Sequence, residues 1–436
     1  MNLSRNQIII IGGVGLVILF FVLVFLGVIP GLKPSSNSGF LSFGPSSGEE
    51  AKLSFWGTAE VDNSNSIRKM MEEYSKTGGA VQVEYQGFDN ADAYEKALLN
   101  SFATGKGPDI FMFHSGWLRK HSDKAAPAPE PLNLNYVQQA FPDVVRNDFV
   151  SADGKVYALP FYVDTLALIY NKDIFNAKSI ALTPKTWEDF KSLVPQLREL
   201  NILNQINRPA AAIGGSGKSI DTASDLLNLL MLQMGSSMVD TQGLASFGSN
   251  GLSAFNFYLQ FANPSNSYYT WNDNIGNSTD LFSQGDAAAI FNYQSSISSI
   301  KEKNPYLNLG IGAMPQFDVE QPVNYASYWG LAVSRQSANQ TAAWSFIAGV
   351  TADQTVSEAY IRASGKPPAL RSLIEKYKND ASLGVFARQA LTAKSWNMPD
   401  NESVKQIFSN MIEYVLSGKL SSDKALEQAR NQINAL

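Results

Sequence analysis

The sequence predicts an α/β fold, because short apolar segments alternate with amphipathic segments of helical length. The predicted strands are 51–56, 81–85 and 109–113, and the helices between them are 63–74 and 91–104. Strands and helices that alternate in this way form a parallel sheet through right-handed crossovers. Ligands of such sheets bind beyond the carboxyl ends of the strands. We therefore expect a binding site in the loops that follow the first and third strands.

The rest of the chain continues the α/β pattern. Thr186, followed three residues later by Asp189, is close to a capping box and marks a helix start. Further helices are predicted at 223–234 and 252–261, and further strands at 308–315 and 326–334. Trp187 and Trp344 have core spacing within helices, and we expect both to pack in the interior.

Composition excludes several classes of function. The 436 residues carry a net charge of −5, which gives no support for nucleic-acid binding. The chain has no cysteine, so disulfides and thiolate metal sites are excluded, and we expect no cofactor. The histidines are His114 and His121, and neither belongs to a metal-ligand cluster or lies near a nucleophile-elbow pattern.

The first residues predict a membrane anchor. From Ile8 to Leu32 there is no charged residue, and this run exceeds the ~20 residues that span a bilayer. A cleaved signal would have a shorter apolar region and a small-residue cleavage site, and no A-x-A triplet follows here. We expect an uncleaved transmembrane helix within 1–32 and a Ser/Gly/Pro-rich linker at 33–50, with the soluble part outside the cytoplasm.

The segment 153–190, DGKVYALPFYVDTLALIYNKDIFNAKSIALTPKTWEDF, resembles the signature stretch of family 1 extracellular solute-binding proteins, the carbohydrate-binding components of ABC importers. The runs 282–291, 339–347 and 365–371 also resemble elements of that family. The resemblance implies a two-lobed periplasmic-binding-protein fold, type II-like, with a hinge and a cleft between the lobes. Lobe 1 would comprise 51–161 plus 326–372, and lobe 2 would comprise 162–325 plus 373–436.

The resemblance also implies a function. The protein would be a membrane-tethered monomer that captures a carbohydrate, with an oligosaccharide among the candidates, and passes it to the permease subunits of an ABC importer without performing chemistry. Two alternatives stay open. One is an extracellular glycan-acting enzyme, which needs two carboxylates about 5–10 Å apart in the cleft. The other is a sensory or adhesive module that uses the same fold.

Candidate ligand-binding residues lie on predicted loops at strand ends or at positions where the family often contacts sugar. Trp and Tyr rings stack on the apolar faces of sugars, and Asp, Asn and Ser hold the hydroxyl groups. The candidates are Trp56, Gly57, Thr58, His114, Ser115, Trp117, Tyr162, Asp164, Trp271, Asn292, Tyr293, Tyr328, Trp329 and Trp396.

The segment 212–219, AIGGSGKS, is a near miss to a phosphate-binding loop, because Ala212 stands where the first glycine is required. We expect this segment to be a loop at the start of a helix and not a nucleotide site.

Overall fold

The computed structural model describes residues 51–59, 61, 65–78 and 81–436. The predicted membrane anchor at 1–32 and the linker at 33–50 lie outside these residues. Within the described range, no helix combines the length and the apolar character that crossing a membrane requires.

Thirteen strands are described. In chain order they are β1 Lys52–Thr58, β2 Gln82–Phe88, β3 Ile110–His114, β4 Ala125–Ala126, β5 Leu159–Pro160, β6 Ala167–Asn171, β7 Glu199–Leu200, β8 Ile206–Arg208, β9 Ala289–Asn292, β10 Leu309–Gly312, β11 Asn324–Tyr325, β12 Trp329–Ser334 and β13 Ala393–Lys394.

The helices alternate with these strands. In chain order they are α1 Ser66–Lys76, α2 Ala91–Ala103, α3 Leu118–His121, α4 Leu134–Ala140, α5 Asp143–Phe149, α6 Lys172–Ala177, α7 Trp187–Leu197, α8 Ala223–Gln233, α9 Gly248–Gln260, α10 Ser278–Gln284, α11 Ser296–Lys303, α12 Gln340–Thr351, α13 Gln354–Ser364, α14 Arg371–Tyr377, α15 Gly384–Ala390, α16 Asn401–Leu416 and α17 Ser422–Asn434.

Two separate sheets define two lobes. The sheet of lobe 1 has the order β2-β1-β3-β12-β4, with β5 also paired to β12, and the sheet of lobe 2 has the order β10-β6-β9. As predicted, β1 runs parallel to both β2 and β3. Neither sheet is purely parallel, however, because β12 is antiparallel to β3 and the neighbours in lobe 2 are antiparallel. The reason is that β12 enters its sheet from the other lobe and not through a crossover helix.

The chain passes between the lobes through adjacent segments. After β5 it continues to β6, and it returns through β11 to β12, with a bridge between Thr165 and Ala326 where these two segments meet. A third segment runs beside them, because β13 pairs in parallel with β11. The predicted lobe boundaries stay predictions. Helix α14 crosses the predicted boundary at residue 372, and it contacts α4 and α13, which both belong to the predicted lobe 1.

Each lobe has its own core. The capping box that starts α7 is confirmed, since Thr186 accepts from the N–H of Asp189 and Asp189 accepts from the N–H of Thr186, both at 3.0 Å. Trp187 follows in the core of lobe 2, and Trp344 on α12 packs behind the sheet of lobe 1; both are 1% exposed. The prediction that these two tryptophans are packing residues is confirmed.

Candidate functional site

A cavity of about 250 Å³ lies between the two lobes. Lobe 1 contributes residues from α2, from the end of β3 and from the start of β12, while lobe 2 contributes residues from the starts of α8 and α16 and from the loop after β9. The lining consists of Val61, Ala91, Asp92, Glu95, His114, Trp117, Tyr162, Asp221, Thr222, Asp225, Tyr293, Ser295, Ser327, Trp329, Lys366, Asn401, Glu402 and Lys405.

An aromatic wall forms the lobe 1 side of this cavity. Trp329 begins β12 and pairs in register with His114, the last residue of β3, so the two rings are neighbours with centroids 4.9 Å apart. Trp117 packs edge-on against Trp329 at 5.1 Å. Tyr94 supports the wall from behind, stacked on Trp117 at 6.1 Å, and its hydroxyl donates to the carbonyl of Met112 at 2.8 Å. The sequence predicted all three wall residues as candidates.

His114 is neutral at pH 7. Burial and, to a smaller extent, repulsion from Lys405 lower the pKa of its ring to about 3. Its Nδ1 accepts from the N–H of Gly116 at 3.1 Å, so the proton sits on Nε2, which lies 3.2 Å from the hydroxyl of Ser327. His114 is therefore a polar, uncharged edge of the aromatic wall.

Carboxylates line the opposite side of the cavity. Asp225, in the first turn of α8, accepts from the Tyr293 hydroxyl at 2.8 Å, and burial raises the pKa of its carboxyl. Asp221 precedes the helix and accepts from Asn277 at 2.7 Å and from Thr279 at 2.6 Å. These contacts hold the acceptor oxygens of lobe 2 in place before any ligand arrives.

Asp164 supports the cavity from outside its lining. Its carboxylate accepts from the backbone N–H groups of Thr165 at 2.9 Å and of Gln294 and Ser295 at 3.0 Å each. Burial raises the pKa of this carboxyl to about 6, opposed by the positive charge of Lys366 and by these hydrogen bonds. Asp164 thus fixes the loop that carries Tyr293 into the cavity, a positioning role in place of the predicted direct contact.

A buried lysine lies where the hinge meets the cavity. Lys366 is 2% exposed and its ammonium lies 4.8 Å from the centroid of the Tyr162 ring, a cation–π geometry. Tyr162 was a predicted candidate. Lys366 lies in the run 365–371, which resembles an element of the family, but its sequence pattern does not distinguish it from a surface lysine.

An ion-pair bridge crosses the cleft beside the cavity. The ammonium of Lys120 in lobe 1 lies 2.6 Å from Glu95 of the same lobe and 2.6 Å from Asp400, the residue that caps α16 in lobe 2. Glu95 also contacts Nε2 of His121 at 2.7 Å. The hydrogen bond from His121, followed by that from Lys120, lowers the pKa of the Glu95 carboxyl to about 2, so Glu95 is ionised at neutral pH.

Five of the predicted residues line the cavity: His114, Trp117, Tyr162, Tyr293 and Trp329. Ligand contact by these five stays a prediction. Sequence reasoning missed Asp92, Asp225 and Glu402, because they occupy the first turns of α2, α8 and α16, where acids are ordinary residues that favour a helix start.

Four predicted residues lie at or beneath the strand ends of lobe 1, and the cavity lining does not include them. Trp56 packs against Phe88 with ring centroids 5.2 Å apart. Gly57 packs closely against Met112, since a Cβ there would lie 2.5 Å from the Cε at the end of that side chain. Thr58 is fully buried, and Ser115 hydrogen-bonds the backbone of Tyr328.

The remaining four predicted residues have buried partners within the protein. Trp271 donates to the Ser219 hydroxyl at 2.9 Å, and Trp396 donates to Asn228 at 2.8 Å, both in the core of lobe 2. The Tyr328 hydroxyl donates to Asp148 at 2.7 Å. Asn292 accepts from the N–H of Tyr293 at 2.8 Å and so shapes the loop below the cavity.

In the segment 212–219, which nearly matches a phosphate-binding loop, a side chain of the protein itself accepts the hydrogen bonds. Asp273 accepts from the N–H of Ser216 at 2.8 Å, from the Ser216 hydroxyl at 2.7 Å and from the Ser219 hydroxyl at 2.6 Å. A carboxylate already occupies the donors that would hold a phosphate, which agrees with the expectation that this loop is structural. Among the residues that the structure describes, no group of His, Cys, Asp and Glu has the arrangement of a metal site.

Two curated relatives match most of the chain. A maltotriose-binding protein of Pyrococcus abyssi is 23% identical over 353 residues, which cover 77% of this chain and 71% of the relative. A galactooligosaccharide-binding protein of Bacillus subtilis is 24% identical over 404 residues, which cover 88% of this chain and 91% of the relative.

Solved structures share the two-lobed α/β fold. A solute-binding protein of an ABC transporter from Thermotoga lettingae, solved with α-D-tagatose, has a TM-score of 0.71 at 21% identity and covers 88% of this chain and 99% of its own. A cyclic α-maltosyl-1,6-maltose binding protein from Arthrobacter globiformis has a TM-score of 0.73 at 17% identity, with coverages of 89% and 99%. Residues 69–384 match the family described as bacterial extracellular solute-binding protein. The chain belongs to this family, which confirms the resemblance seen in its signature segment.

Proposed function

We propose that this protein captures a carbohydrate between its lobes and presents it to an ABC importer. The observation that carries the proposal is the interlobe cavity in which Trp117 and Trp329 lie together with carboxylate, amide and hydroxyl groups. Aromatic rings pack on the apolar face of a sugar, while carboxylate and amide oxygens accept hydrogen bonds from its hydroxyl groups. The cavity supplies both kinds of contact, with the aromatic wall on lobe 1 and hydrogen-bonding side chains on both lobes.

The names of the relatives support a sugar as the ligand. Two curated relatives are named for binding maltotriose and galactooligosaccharide, and two structural neighbours are named with tagatose and with a cyclic maltosyl-maltose. The partners would be the permease subunits of the importer, and the protein would act as a monomer. A ligand that contacts both lobes favours the closed arrangement by its differential affinity for that state.

The protein would bind its ligand without changing it. The carboxylates of lobe 2 are engaged in hydrogen bonds with their own lobe, as Asp221 is with Asn277 and Thr279. Such contacts suit fixed acceptors more than a general acid and a nucleophile. Incubation of the full-length protein with chromogenic glycosides checks this directly, and turnover that disappears with Asp225→Asn would indicate a glycosidase instead.

The uncharged run from Ile8 to Leu32 supports a single membrane-spanning anchor, with the Ser/Gly/Pro-rich segment at 33–50 as a stalk. In this proposal the anchor holds the binding lobes on the extracytoplasmic face of the cell membrane, where the ligand reaches them first.

A thermal-shift screen of the full-length protein in detergent against neutral, amino and acidic mono-, di- and trisaccharides tests the proposed function. A ligand that binds only the folded state raises the melting temperature. Each sugar that stabilises the protein is then titrated by calorimetry against wild type and Trp329→Ala. Absence of binding by every saccharide, while the protein is folded, would overturn the proposal.

A further inference from the structure

The cavity is acidic. Among its described lining residues there are five carboxylates and two lysines, and His114 adds no charge at neutral pH. Two of the carboxylates have a cationic partner: Glu95 has Lys120 at 2.6 Å and Glu402 has Lys405 at 3.1 Å. The negative charge of the other three, Asp92, Asp221 and Asp225, is not neutralised by such an ion pair.

These three carboxylates have different local environments. Burial raises the pKa of Asp225, and the charge of Lys405 opposes that effect without forming an ion pair with it. In the described part of the chain, no nitrogen of Lys or Arg lies within 4.0 Å of any of them. Asp221 and Asp225 accept only from neutral groups, namely an amide and the hydroxyls of Thr279 and Tyr293. Asp92 lies on the other lobe, in the first turn of α2. Negative charge therefore faces the cavity from both lobes.

Asn401 independently adds an unsatisfied acceptor to the lining of the cavity. The residue lines the cavity, is 6% exposed, and its Oδ1 is buried without a hydrogen-bond partner among the described residues. Its amide group donates to Glu402 at 2.8 Å, and since a carboxylate only accepts, this contact fixes Oδ1 as the acceptor end. A buried acceptor without a partner costs free energy that a ligand N–H or O–H can recover.

The volume limits the size of the ligand. At about 250 Å³ the cavity is smaller than the ~300–1,000 Å³ typical of sites for drug-sized ligands. Such a space suits one or two sugar rings in the arrangement of the lobes seen here.

We propose that the ligand is a small saccharide that carries a protonated amino group. This inference rests on the proposed function and narrows it. An ammonium group supplies three donors and a positive charge, which match a site with an excess of acceptors and of negative charge. Acidic sugars are disfavoured by the same charge.

The test is a titration of the full-length protein with charge-matched sugars. Hexosamines of the gluco, galacto and manno series are compared by calorimetry with their parent hexoses and with the corresponding hexuronates, together with the disaccharide of glucosamine and with maltose. The expected result is that at least one amino sugar binds about tenfold tighter than its neutral parent and that the hexuronates bind more weakly than either.

Single replacements show which carboxylate interacts with the amino group of the sugar. Asp92→Asn, Asp221→Asn and Asp225→Asn keep the side-chain shape, and at least one of them should make the amino sugar and its parent bind equally. Asp286→Asn is the matched control, because Asp286 is exposed and does not line the cavity. This control should preserve the preference.

The outcomes separate this inference from the proposed function. Tight binding of a neutral sugar with no gain from an amino group would overturn the inference and leave sugar capture standing. Preference for a hexuronate would overturn it as well. Absence of any saccharide binding would remove both.

Discussion

The ammonium of Lys120 in lobe 1 lies 2.6 Å from Oδ2 of Asp400 in lobe 2. Both side chains are less than one quarter exposed, so the contact is partly shielded from solvent. Because its two partners belong to different lobes, the pair helps to hold the lobes in the arrangement seen here.

Loss of this pair should weaken ligand binding without removing any ligand contact. Asp400→Asn removes the charge on the lobe 2 side, keeps the cap of α16 and leaves Glu95 its partner Lys120. We expect the Kd for the cognate sugar to rise about fivefold, corresponding to ~1 kcal/mol for a partly exposed pair. The rise should come mainly from faster dissociation, which stopped-flow tryptophan fluorescence can measure. Glu413→Gln is the control, since the Glu413 pair with Lys218 is also partly exposed but lies within lobe 2. Equal dissociation rates for wild type and Asp400→Asn would contradict the account.

Trp329 and Trp344 should respond differently to replacement by alanine. Trp329→Ala removes the centre of the aromatic wall and should weaken sugar binding by roughly 1–3 kcal/mol. Some stability is lost as well, because the ring packs on Trp117 at 5.1 Å. Trp344→Ala opens a cavity in a closed core and should cost roughly 3–5 kcal/mol of stability. Thermal melts and calorimetry on both variants give the comparison. Normal affinity in Trp329→Ala combined with early unfolding would show that this ring serves only the core.

The buried carboxyl of Asp148 should make stability depend on pH. Burial raises its pKa to about 7, although the Tyr328 and Ser395 hydroxyls donate to it and lower the pKa. The folded state therefore holds this proton more tightly than the unfolded state, whose pKa is near 3.8. The contribution of Asp148 to the free energy of unfolding therefore falls as pH rises from about 3.8 to about 7, and it no longer changes above about 7. The melting temperature of Asp148→Asn relative to wild type should increase over the same range. A difference that does not change with pH would rule out this explanation.

The anchor proposal makes a prediction about mass and location. The native protein should retain its first residues and remain with the membrane fraction, because the run from Ile8 to Leu32 has no cleavage triplet after it. Intact-mass analysis of protein extracted from membranes decides this. A soluble species that begins after residue 30 would contradict an uncleaved anchor.

Local signals in the sequence predicted individual elements well. The helix predicted at 91–104 is observed as Ala91–Ala103, and the one predicted at 223–234 is observed as Ala223–Gln233. The first is an amphipathic segment capped by Asn90, and the second is an apolar run of helical length that is buried along most of its length. The direction of β12 could not be predicted in the same way, since it depends on the chain returning from the other lobe.

For the candidate site too, local signals predicted some residues, while the position of others depends on the tertiary fold. His114 and Trp329 were both predicted from their places at strand ends, and the structure brings them into register on neighbouring strands. Trp271 and Trp396 have similar polar neighbours in the sequence but lie in a core built from distant segments. Asp225 and Asn401 were missed because each lies in an ordinary helix start, and only the packing of α8 against α16 within lobe 2 places them in one cavity.

A distance measurement between the lobes tests the central claim most directly. The chain has no native cysteine, so Lys96→Cys on α2 and Gln406→Cys on α16, both exposed positions, provide unique spin-label sites on the two lobes. Pulsed electron paramagnetic resonance on the full-length protein then compares the distance distribution without ligand and with a sugar that calorimetry shows to bind. The account predicts a shift toward a shorter, narrower distribution at saturating sugar. A distribution that stays the same would contradict capture by closure of the two lobes.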